Sequence, residues 1–397
     1  MRQAPHGTLS LAARRPELPR EAAQRGQPAS ALHDAVALEA YAHVRELPAD
    51  ALALLAEAEA QHVEFGADWY ANLIDTVQAQ APRTTQVRIH VLRQGGQVKA
   101  VLPTLRHARR LGLEVASLSN FYAALYAPAL AEGVDAQTLL PLLQGLRREH
   151  LAVYRFAPMD PGSRAFQVLR DAMAMAGLST HAYFTFGNWY QPVSQAWPDY
   201  LQARSGQIRS ALKRQGKKFA AQGGRLEIVQ GGPALRPAIA AYQQVYARSW
   251  KLPEPYPAFM PGLLQLCARR GWLRLGVAWL GETPVAAQIW IVANGRADIY
   301  KLAYDETHKA LAPGTLLTAH LMQQAMEVDH VREIDYLIGD DPYKAAWMSH
   351  RRERFGLVAY DPLTVGGLLG LARQQIGAAW RRWQPKPARH HDNAAAA

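Results

Sequence analysis

Two pairs of alternating segments constrain the fold of this chain more than any other feature. Apolar and polar residues alternate through residues 86–104 around Gly95-Gly96, and again through residues 285–305 around Asn294-Gly295. Both dipeptides accept the positive φ angles that two-residue β-turns require. Each pair is therefore predicted to be an antiparallel β-hairpin.

The same order of elements follows each hairpin. A strand at Glu114–Leu118, a helix at Ala136–His150 and a buried strand at Leu151–Phe156 follow the first hairpin. A helix from Pro313-Gly314 to about Asp329 and a strand at Glu333–Ile338 follow the second. Because a helix between two strands allows parallel pairing, we predict an α/β fold of α+β type with two similar halves, each a mixed, mainly antiparallel sheet flanked by helices. The other predicted elements are helices at Leu52–Gln80, Ala165–Ala176, Gln207–Gln222, Tyr343–Met348 and from Pro237 to Trp250, and strands at Arg225–Val229, Leu273–Leu280 and Gly356–Asp361.

Composition divides the chain into four parts. Residues 1–36 are rich in Ala, Arg, Pro and Gln and are predicted to be disordered. The N-terminal half covers 37–190 and the C-terminal half covers 191–365, with a boundary near Asn188–Pro198. Residues 366–397 form an amphipathic stretch followed by a basic tail that is predicted to be disordered.

Overall composition favours a cytoplasmic protein with an anionic partner. Hydrophobic residues make up 49% of the chain, and no signal sequence or membrane span is evident. The one cysteine, Cys267, excludes an intrachain disulfide and is predicted to be a core thiol. The histidines do not cluster, so no metal is predicted. The net charge of +11 leaves nucleic acid, anionic lipid and a phosphorylated cofactor open, and the basic tail could contact a membrane surface peripherally.

The turn Pro313-Gly314-Thr315 is a candidate anion site. A helix that begins there leaves backbone N–H groups unpaired at the positive end of its dipole. Lys309 adds positive charge nearby. An ordinary entry from a loop into a helix has the same sequence pattern, so both interpretations stay open.

Chemically active side chains cluster directly after the strand that ends near Ile338. Asp340, Asp341, Tyr343 and Lys344 provide two carboxylates, a phenol and an ammonium group, and Trp347 lies one helical turn after Tyr343. Ligands commonly bind at strand ends in α/β sheets. The aspartates could also simply cap the short helix that follows.

A strongly basic helix is the third notable feature. Between residues 204 and 225 there are seven cationic residues and no acidic one. Arg209, Lys213 and Lys217 form an i, i+4 row that could bind phosphates or could be an ordinary solvated face. Tyr256, in a proline-rich loop, is a candidate wall of a substrate pocket.

Several of these motifs resemble a known family. Tyr304-Asp305, Ala312-Pro313-Gly314, Asp335, Gly339-Asp340 and Tyr343-Lys344 with Trp347 are similar to the acetyltransferase domain of CelD-type proteins. These are bacterial members of the GNAT superfamily associated with cellulose and exopolysaccharide synthesis, and they are related to FemAB-type transferases, which pair two GNAT-like halves. The resemblance is strongest over 200–362 and weaker over 40–186.

The resemblance implies roles for the motif residues. The strand carrying Tyr300, Leu302 and Tyr304 would lie beside the pantetheine arm of acyl-CoA, which would be a co-substrate and not a tightly bound cofactor. Pro313–Thr315 would face the pyrophosphate, with Lys309 nearby. The chain lacks the Gln/Arg-x-x-Gly-x-Gly/Ala run of many GNAT enzymes, which leaves another acyl donor open.

The resemblance also implies catalytic residues. Tyr343 would protonate the leaving thiolate, Asp340 is the first candidate base, and Asp335 is the second unless it only orders its strand. General acid–base help of this kind contributes about 10²–10⁴-fold. The candidate substrate-binding residues are Arg209, Lys213, Tyr256, Lys344 and Trp347.

Together these features predict an N-acyltransferase that moves an acyl group from a thioester, acyl-CoA in the first instance, to an amine acceptor. Cell-envelope or polysaccharide biosynthesis would supply the acceptor by family analogy. One alternative is a FemAB-like transferase that uses aminoacyl-tRNA, which the basic helix favours. Another is a non-catalytic binding or assembly protein of a polysaccharide pathway.

Overall fold

The computed structural model describes residues 35–383, so the predictions for residues 1–34 and for the tail beyond 383 fall outside the described residues. It confirms a mixed α/β fold. The strands are β1 (Val36–Tyr41), β2 (Thr85–Gln94), β3 (Gln97–Arg109), β4 (Gly112–Ser117), β5 (Ala129–Leu130), β6 (Leu151–Met159), β7 (Ser179–Pro192), β8 (Gly224–Val229), β9 (Leu273–Leu280), β10 (Thr283–Ala293), β11 (Arg296–Tyr304), β12 (Glu333–Asp335) and β13 (His350–Tyr360). The α-helices are α1 (Ala49–Glu59), α2 (Ala67–Thr76), α3 (Ala136–Arg147), α4 (Arg164–Met175), α5 (Trp197–Gln202), α6 (Gly206–Ala221), α7 (Leu235–Ala247), α8 (Phe259–Arg269), α9 (Pro313–Glu327), α10 (Pro342–Trp347) and α11 (Val365–Trp383).

The strands form one continuous sheet in the order β1-β2-β3-β4-β6-β13-β7-β12-β11-β10-β9-β8, with β5 paired to β3. Neighbours are antiparallel except for β4–β6 and β11–β12, which are parallel. In both parallel pairs the connection runs through a long helix, α3 or α9. The expected repetition of a hairpin, a helix and a parallel strand is therefore present in both halves.

The two halves share strands at the centre of the sheet. The last strand, β13, lies between β6 and β7 of the N-terminal half and is antiparallel to both. The far end of β7, at Tyr190–Pro192, pairs with β12 of the C-terminal half. The boundary predicted after residue 190 falls within β7, and the domain limits stay predictions.

Helices cover both faces of the sheet. One core joins α1 and α2 to α7 and α8, and in it the Trp69 ring packs edge-on against Phe259, with 5.8 Å between centroids. A second core packs α3 and α4 on the N-terminal strands, and a third packs α9 on the C-terminal strands. Cys267 is buried in the first core, as predicted.

The helix predicted over Leu52–Gln80 is wrong as a single element. α1 ends at Glu59 and α2 begins at Ala67. Between them His62 adopts an extended conformation, and its ring accepts a hydrogen bond from the Glu64 amide at 3.3 Å. This local bond gives the backbone an alternative to the helix.

The strand predicted at Glu333–Ile338 is shorter than expected. β12 ends at Asp335 because Leu337 has φ 55° and Gly339 has φ 106°, which a strand cannot accommodate. As a result β12 pairs with β11 only at Arg296–Asp298. Beyond that point the two parallel strands diverge.

Candidate active site

The divergence of β11 and β12 opens a cavity of about 270 Å³. Residues 299–302 of β11 line one side, and residues 336–338 beyond β12 line the other. Tyr343 and Lys344 of α10 also line it, and a loop of the N-terminal half that contains Tyr122 completes the wall. The cavity therefore lies at a strand end, where α/β sheets commonly bind ligands.

β11 presents an open edge to this cavity. It pairs with β10 throughout, but beyond Asp298 its other edge has no strand partner among residues 35–383. Tyr300 forms a bulge, because Ile289 pairs with Lys301 and Trp290 pairs with Ile299. Unpaired N–H and C=O groups on such an edge can bind an extended ligand.

Tyr343 contributes a protonated phenol to the cavity. Its side chain is 48% exposed, and its ring packs edge-on against Tyr336 at 5.8 Å between centroids. Partial burial and the neighbouring Asp341 carboxylate raise the pKa of Tyr343 to about 12. The phenol therefore carries its proton at neutral pH and can act as a donor.

Lys344 holds the turn that follows β12. It is 5% exposed, and its ammonium group donates to the carbonyls of Ile338 and Gly339 and pairs with Asp341 Oδ2 at 3.2 Å. Burial lowers its pKa, and the Asp341 carboxylate opposes this effect. Since its N–H groups are engaged by the turn, Lys344 positions the cavity wall.

Two further lysines line the cavity. Lys301 pairs with Glu254 at 2.8 Å, and Glu254 also accepts a hydrogen bond from the Tyr122 hydroxyl at 2.6 Å. Burial and the neighbouring Lys301 ammonium lower the pKa of Lys251 to about 8. Asp341 is the carboxylate among the lining residues of this cavity.

The start of α9 lies beyond the far end of β11. Ala312 has φ 50° and provides no side-chain cap, and the first helical bond runs from the Leu316 amide to the Ala312 carbonyl. The amides of Gly314 and Thr315 therefore have no partner within the helix. A Cβ atom on Gly314 would lie 3.3 Å from the Tyr304 ring.

The structure does not place the α9 start in the cavity itself. Pro313, Gly314 and Thr315 are absent from its lining, whereas Tyr300 and Leu302 line it. Two residues of extended chain separate Leu302 from Tyr304, a distance of about 7 Å. Lys309 is exposed on the 3₁₀ turn that precedes α9, and α6 contacts both that turn and α9.

Asp340, the first candidate base, lies outside the cavity. Its carboxylate accepts hydrogen bonds from Trp189 Nε1 at 2.7 Å and from Arg351 Nη2 at 2.7 Å. The hydrogen bond from Arg351 is the main cause that lowers its pKa. Its neighbour Asp341 lines the cavity instead.

Asp335, the second candidate base, is 1% exposed and fully engaged. It pairs with Arg352 and with Arg296 at 3.0 Å, and it accepts a hydrogen bond from the Leu337 amide at 2.6 Å. Burial would raise the pKa of Asp335, but the two guanidinium groups outweigh this effect and hold it below its usual range. This geometry is that of a residue that orders its strand.

The remaining candidate substrate residues are dispersed. Tyr256 stacks near Phe121, which lines the cavity, with 6.2 Å between ring centroids. Trp347 is buried in the core beneath α9. On α6, Lys213 is exposed and Arg209 donates to the Gln202 carbonyl at 2.9 Å. Arg209 and Lys213 do not line the cavity.

Sequence reasoning missed the contribution of the N-terminal half. The loop carrying Phe121 and Tyr122 reaches the cavity across the shared sheet, and Tyr300 donates to the Tyr122 carbonyl at 2.8 Å. Lys251 and Lys301 were also missed. The aromatic pair Phe121-Tyr122, which follows β4, is visible in the sequence, but its place beside the cavity depends on long-range packing.

A buried carboxyl group anchors this loop. Glu64 accepts hydrogen bonds from the amides of Ala124 at 3.1 Å and Leu125 at 2.6 Å. Burial raises its pKa to about 8, and the two amides oppose this shift. Its folded-state pKa thus lies above the unfolded value of about 4.3.

Glu64 should make folding stability depend on pH. A raised pKa gives stability that is complete below the unfolded pKa and is lost as pH rises toward about 8. Between about pH 6.5 and 8 the loss should be about 2 kcal/mol, and Glu64→Gln should abolish this pH dependence even if it lowers stability throughout. Urea denaturation at several pH values tests this, and equal slopes in both proteins would contradict it. Buried His62, whose pKa is lowered, acts in the opposite direction at lower pH.

The site combines diverging parallel strands, an open strand edge and a phenolic proton donor, and a helix start with free amides lies beyond the cavity. Residues 206–345 match the family described as the acetyltransferase (GNAT) domain. Over this part of its C-terminal half the chain is similar to a GNAT domain, which agrees with the sequence resemblance at that level.

Solved structures are similar to this chain at low sequence identity, and FemX shares its fold. FemX is 10% identical with a TM-score of 0.54, over 77% of this chain and 93% of FemX. The C-terminal domain of a putative lysylphosphatidylglycerol synthetase from Agrobacterium fabrum is 13% identical with a TM-score of 0.48, over 77% and 92%. A tandem GNAT protein from the clavulanic acid biosynthesis pathway is 15% identical with a TM-score of 0.43, over 81% and 98%. Among curated proteins, none matches the chain in sequence.

Two negative findings concern the described part of the chain. None of its helices combines the length and apolar character needed to cross a bilayer. Within residues 35–383, no group of three or more His, Cys, Asp or Glu side chains is arranged to hold a metal ion.

Proposed function

We propose that the protein is an N-acyltransferase that moves an acyl group from a thioester, acyl-CoA in the first instance, to an amine. The observation that carries this proposal is the cavity between β11 and β12, where the phenol of Tyr343 meets an open strand edge. Both features are needed for acyl transfer, because the reaction requires stabilisation of an oxyanion and protonation of a thiolate.

The reaction can be written with the residues that line the cavity. The thioester carbonyl accepts a hydrogen bond from the open edge of β11 near Tyr300. The amine nitrogen then attacks the carbonyl carbon, and the carbon–sulfur bond breaks as the tetrahedral intermediate collapses. The leaving thiolate takes the proton of Tyr343. The proton of the attacking amine passes to Asp341, the carboxylate among the lining residues. After the products leave, Asp341 releases this proton to solvent and the Tyr343 phenolate takes one up, which restores both groups.

Asp340 and Asp335 have supporting roles in this proposal. Their carboxylates are held by Arg351 and by Arg296 with Arg352, respectively. Asp340 fixes the turn before α10 against β7 through Trp189. Asp335 fixes the end of β12, and so sets the width of the cavity.

The donor is proposed to extend along β11 toward α9. Its acyl end occupies the cavity, its extended arm passes Leu302 and Tyr304, and its phosphates meet the free amides of Gly314 and Thr315. Free amides at a helix N-terminus suit phosphate. Lys309 and the basic face of α6 add positive charge on that side. A cytoplasmic amine of cell-envelope or polysaccharide biosynthesis is the proposed acceptor, by the CelD-type resemblance.

Acetyl-CoA turnover tests this proposal. Release of the CoA thiol, followed in the presence of amino sugars such as glucosamine, should depend on both substrates, and mass spectrometry should detect the N-acetylated product. Longer acyl-CoA species should be included, because the proposal does not fix the length of the donor's acyl chain. If no donor in this set gives thiol release that depends on the acceptor, the protein is not a CoA-dependent enzyme.

Transfer from aminoacyl-tRNA is the second candidate, and the exposed basic row of α6 favours it. If tRNA is the donor, Lys213→Glu with Lys217→Glu should weaken tRNA binding, and the slope of log affinity against log salt should fall by roughly one per lost phosphate contact. A filter-binding titration at several salt concentrations measures both. Absence of tRNA binding at low salt removes this candidate.

A further inference from the structure

A second cavity, of about 350 Å³, lies between the two halves. The segment around His62 and the loop after Leu125 line one side. Three arginines of the sheet line the other side: Arg296 at the start of β11, and Arg352 and Arg354 on β13. A fourth, Arg164 at the start of α4, also lines the cavity and donates to the carbonyls of Ala131 and Val134. Because Arg352 and Arg354 are two residues apart on one strand, their side chains project from the same face of the sheet.

Arg296 and Arg352 are largely neutralised by neighbouring carboxylates. Both pair with Asp335, Arg296 also pairs with Asp298 at 2.8 Å, and Arg352 also pairs with Glu333 at 2.7 Å. These contacts fix the two guanidinium groups in place. Arg296 Nε nevertheless remains buried without a hydrogen-bond partner among the described residues.

Arg354 is the least satisfied of the three. Its residue is 4% exposed, and its Nη1 lies 2.9 Å from Asp160 Oδ2. The N–H direction does not fit a hydrogen bond, so this buried nitrogen has no hydrogen-bond partner within residues 35–383. An unpaired buried donor on a charged group costs free energy. A ligand oxyanion would supply the missing acceptor.

We propose that this cavity binds a small molecule through an oxyanion, a carboxylate or a phosphate ester, held chiefly by Arg354 and assisted by Arg296. The planar fork of a guanidinium group matches both anions in a bidentate manner. The volume is within the range of small-molecule pockets, about 300–1,000 Å³. Asp160 repels the anion, and its partly exposed side chain lies on the same cavity wall.

The position of this cavity relates it to the proposed acyl site. A gap too narrow for water lies between the two cavities. Ala124 and Leu337 line the gap and the first cavity, whereas Leu125 and Arg354 line the gap and the second. The two cavities are therefore adjacent but separate, and the proposed anion site does not depend on the proposed function.

Isothermal titration at constant ionic strength, with inorganic phosphate and with succinate as probes, tests the site. At least one probe should bind to the wild type, and the tighter one identifies the anion class. Arg354→Gln should weaken binding by about 10-fold or more, and Asp160→Asn should strengthen it. Arg351→Gln is the matched control, because Arg351 projects from the opposite face of β13 and should leave affinity unchanged.

Several outcomes would overturn the proposal: neither probe binds, or Arg354→Gln binds as the wild type does, or Arg351→Gln is as impaired as Arg354→Gln. If Arg354→Gln fails to fold, Arg354→Lys and Asp160→Asn provide the test, because both variants keep a positive charge at position 354. Arg354→Lys should weaken anion binding and Asp160→Asn should strengthen it. These measurements need no acyl donor. A failed anion site and a failed acyltransferase are therefore distinguishable, since the latter is measured by thiol release from acetyl-CoA.

Discussion

Tyr343→Phe should lower kcat for acetyl-CoA-dependent acylation by about 10²-fold or more, with little change in KM for the donor. The substitution removes one oxygen atom and leaves the ring in its edge-on contact with Tyr336. The lost proton donor matters when the thiolate leaves and not when the substrate binds. Because the pKa of Tyr343 is about 12, this loss should persist from mildly acidic to mildly alkaline pH.

A matched control separates this effect from a general loss of tyrosine hydroxyls. Tyr360→Phe changes a residue at the end of β13, outside the cavity lining, and should leave kcat unchanged. Steady-state thiol release by the three proteins provides the comparison. Equal kcat for wild type and Tyr343→Phe would remove the phenol from the chemistry and would favour the non-catalytic alternative.

Asp335→Asn should destabilise the protein by about 3–5 kcal/mol, the largest stability effect we expect. The substitution keeps the shape of the side chain but leaves the partly buried Arg296 and Arg352 without their shared counter-charge. The amide also presents a donor where the carboxylate accepts hydrogen bonds from Asn188 and Leu337. Urea denaturation at neutral pH measures the loss.

The same residue should contribute to acid sensitivity. Its folded-state pKa is held below the ordinary value of about 3.9, so its stabilisation is present above that value and is lost as pH falls further. Asp335→Asn should therefore lose less unfolding free energy on acidification than the wild type does.

Asp75→Asn is the control for the stability measurement at neutral pH, because the ion pair of Asp75 with Arg45 is at the surface and should contribute well under 1 kcal/mol. If Asp335→Asn loses no more unfolding free energy than Asp75→Asn, the network around Asp335 does not stabilise the protein as we expect.

Local signals were sufficient for much of the fold. Asn294-Gly295 specifies a tight hairpin turn, and β10 and β11 pair around it as predicted. Pro313-Gly314 likewise marks the start of α9 correctly. In both cases the determining interactions lie within a few residues of the motif.

Long-range effects account for the failures. The strand predicted at Gly356–Asp361 begins at His350 instead, because β13 is inserted between β6 and β7 and is paired along its length. Neither β1 nor α8 was anticipated. The early end of β12 depends on positive φ at Leu337, a non-glycine residue for which no periodicity gives warning.

The candidate site could be predicted only in part, because some of its residues are close in sequence and others are not. Tyr343 and Lys344 are close in sequence and share a cavity. Sequence could not decide which of Asp340 and Asp341 faces the cavity, because side chains of neighbouring residues point in different directions. The deciding contact is the ion pair of Asp340 with Arg351, which lies eleven residues later. Tyr122 and Lys251 reach the cavity through tertiary packing alone.

Hydrogen–deuterium exchange with acyl-CoA tests the central claim most directly, because the cavity and the α9 start contain unpaired amides. Adding a slowly turned-over acyl-CoA analogue should protect peptides covering residues 299–304, 313–316 and 336–344, and protection at 313–316 should decrease when the CoA phosphates are absent. Protection that is missing from these three segments, or confined to other parts of the chain, would contradict the assignment of the β11–β12 cavity as the acyl-transfer site.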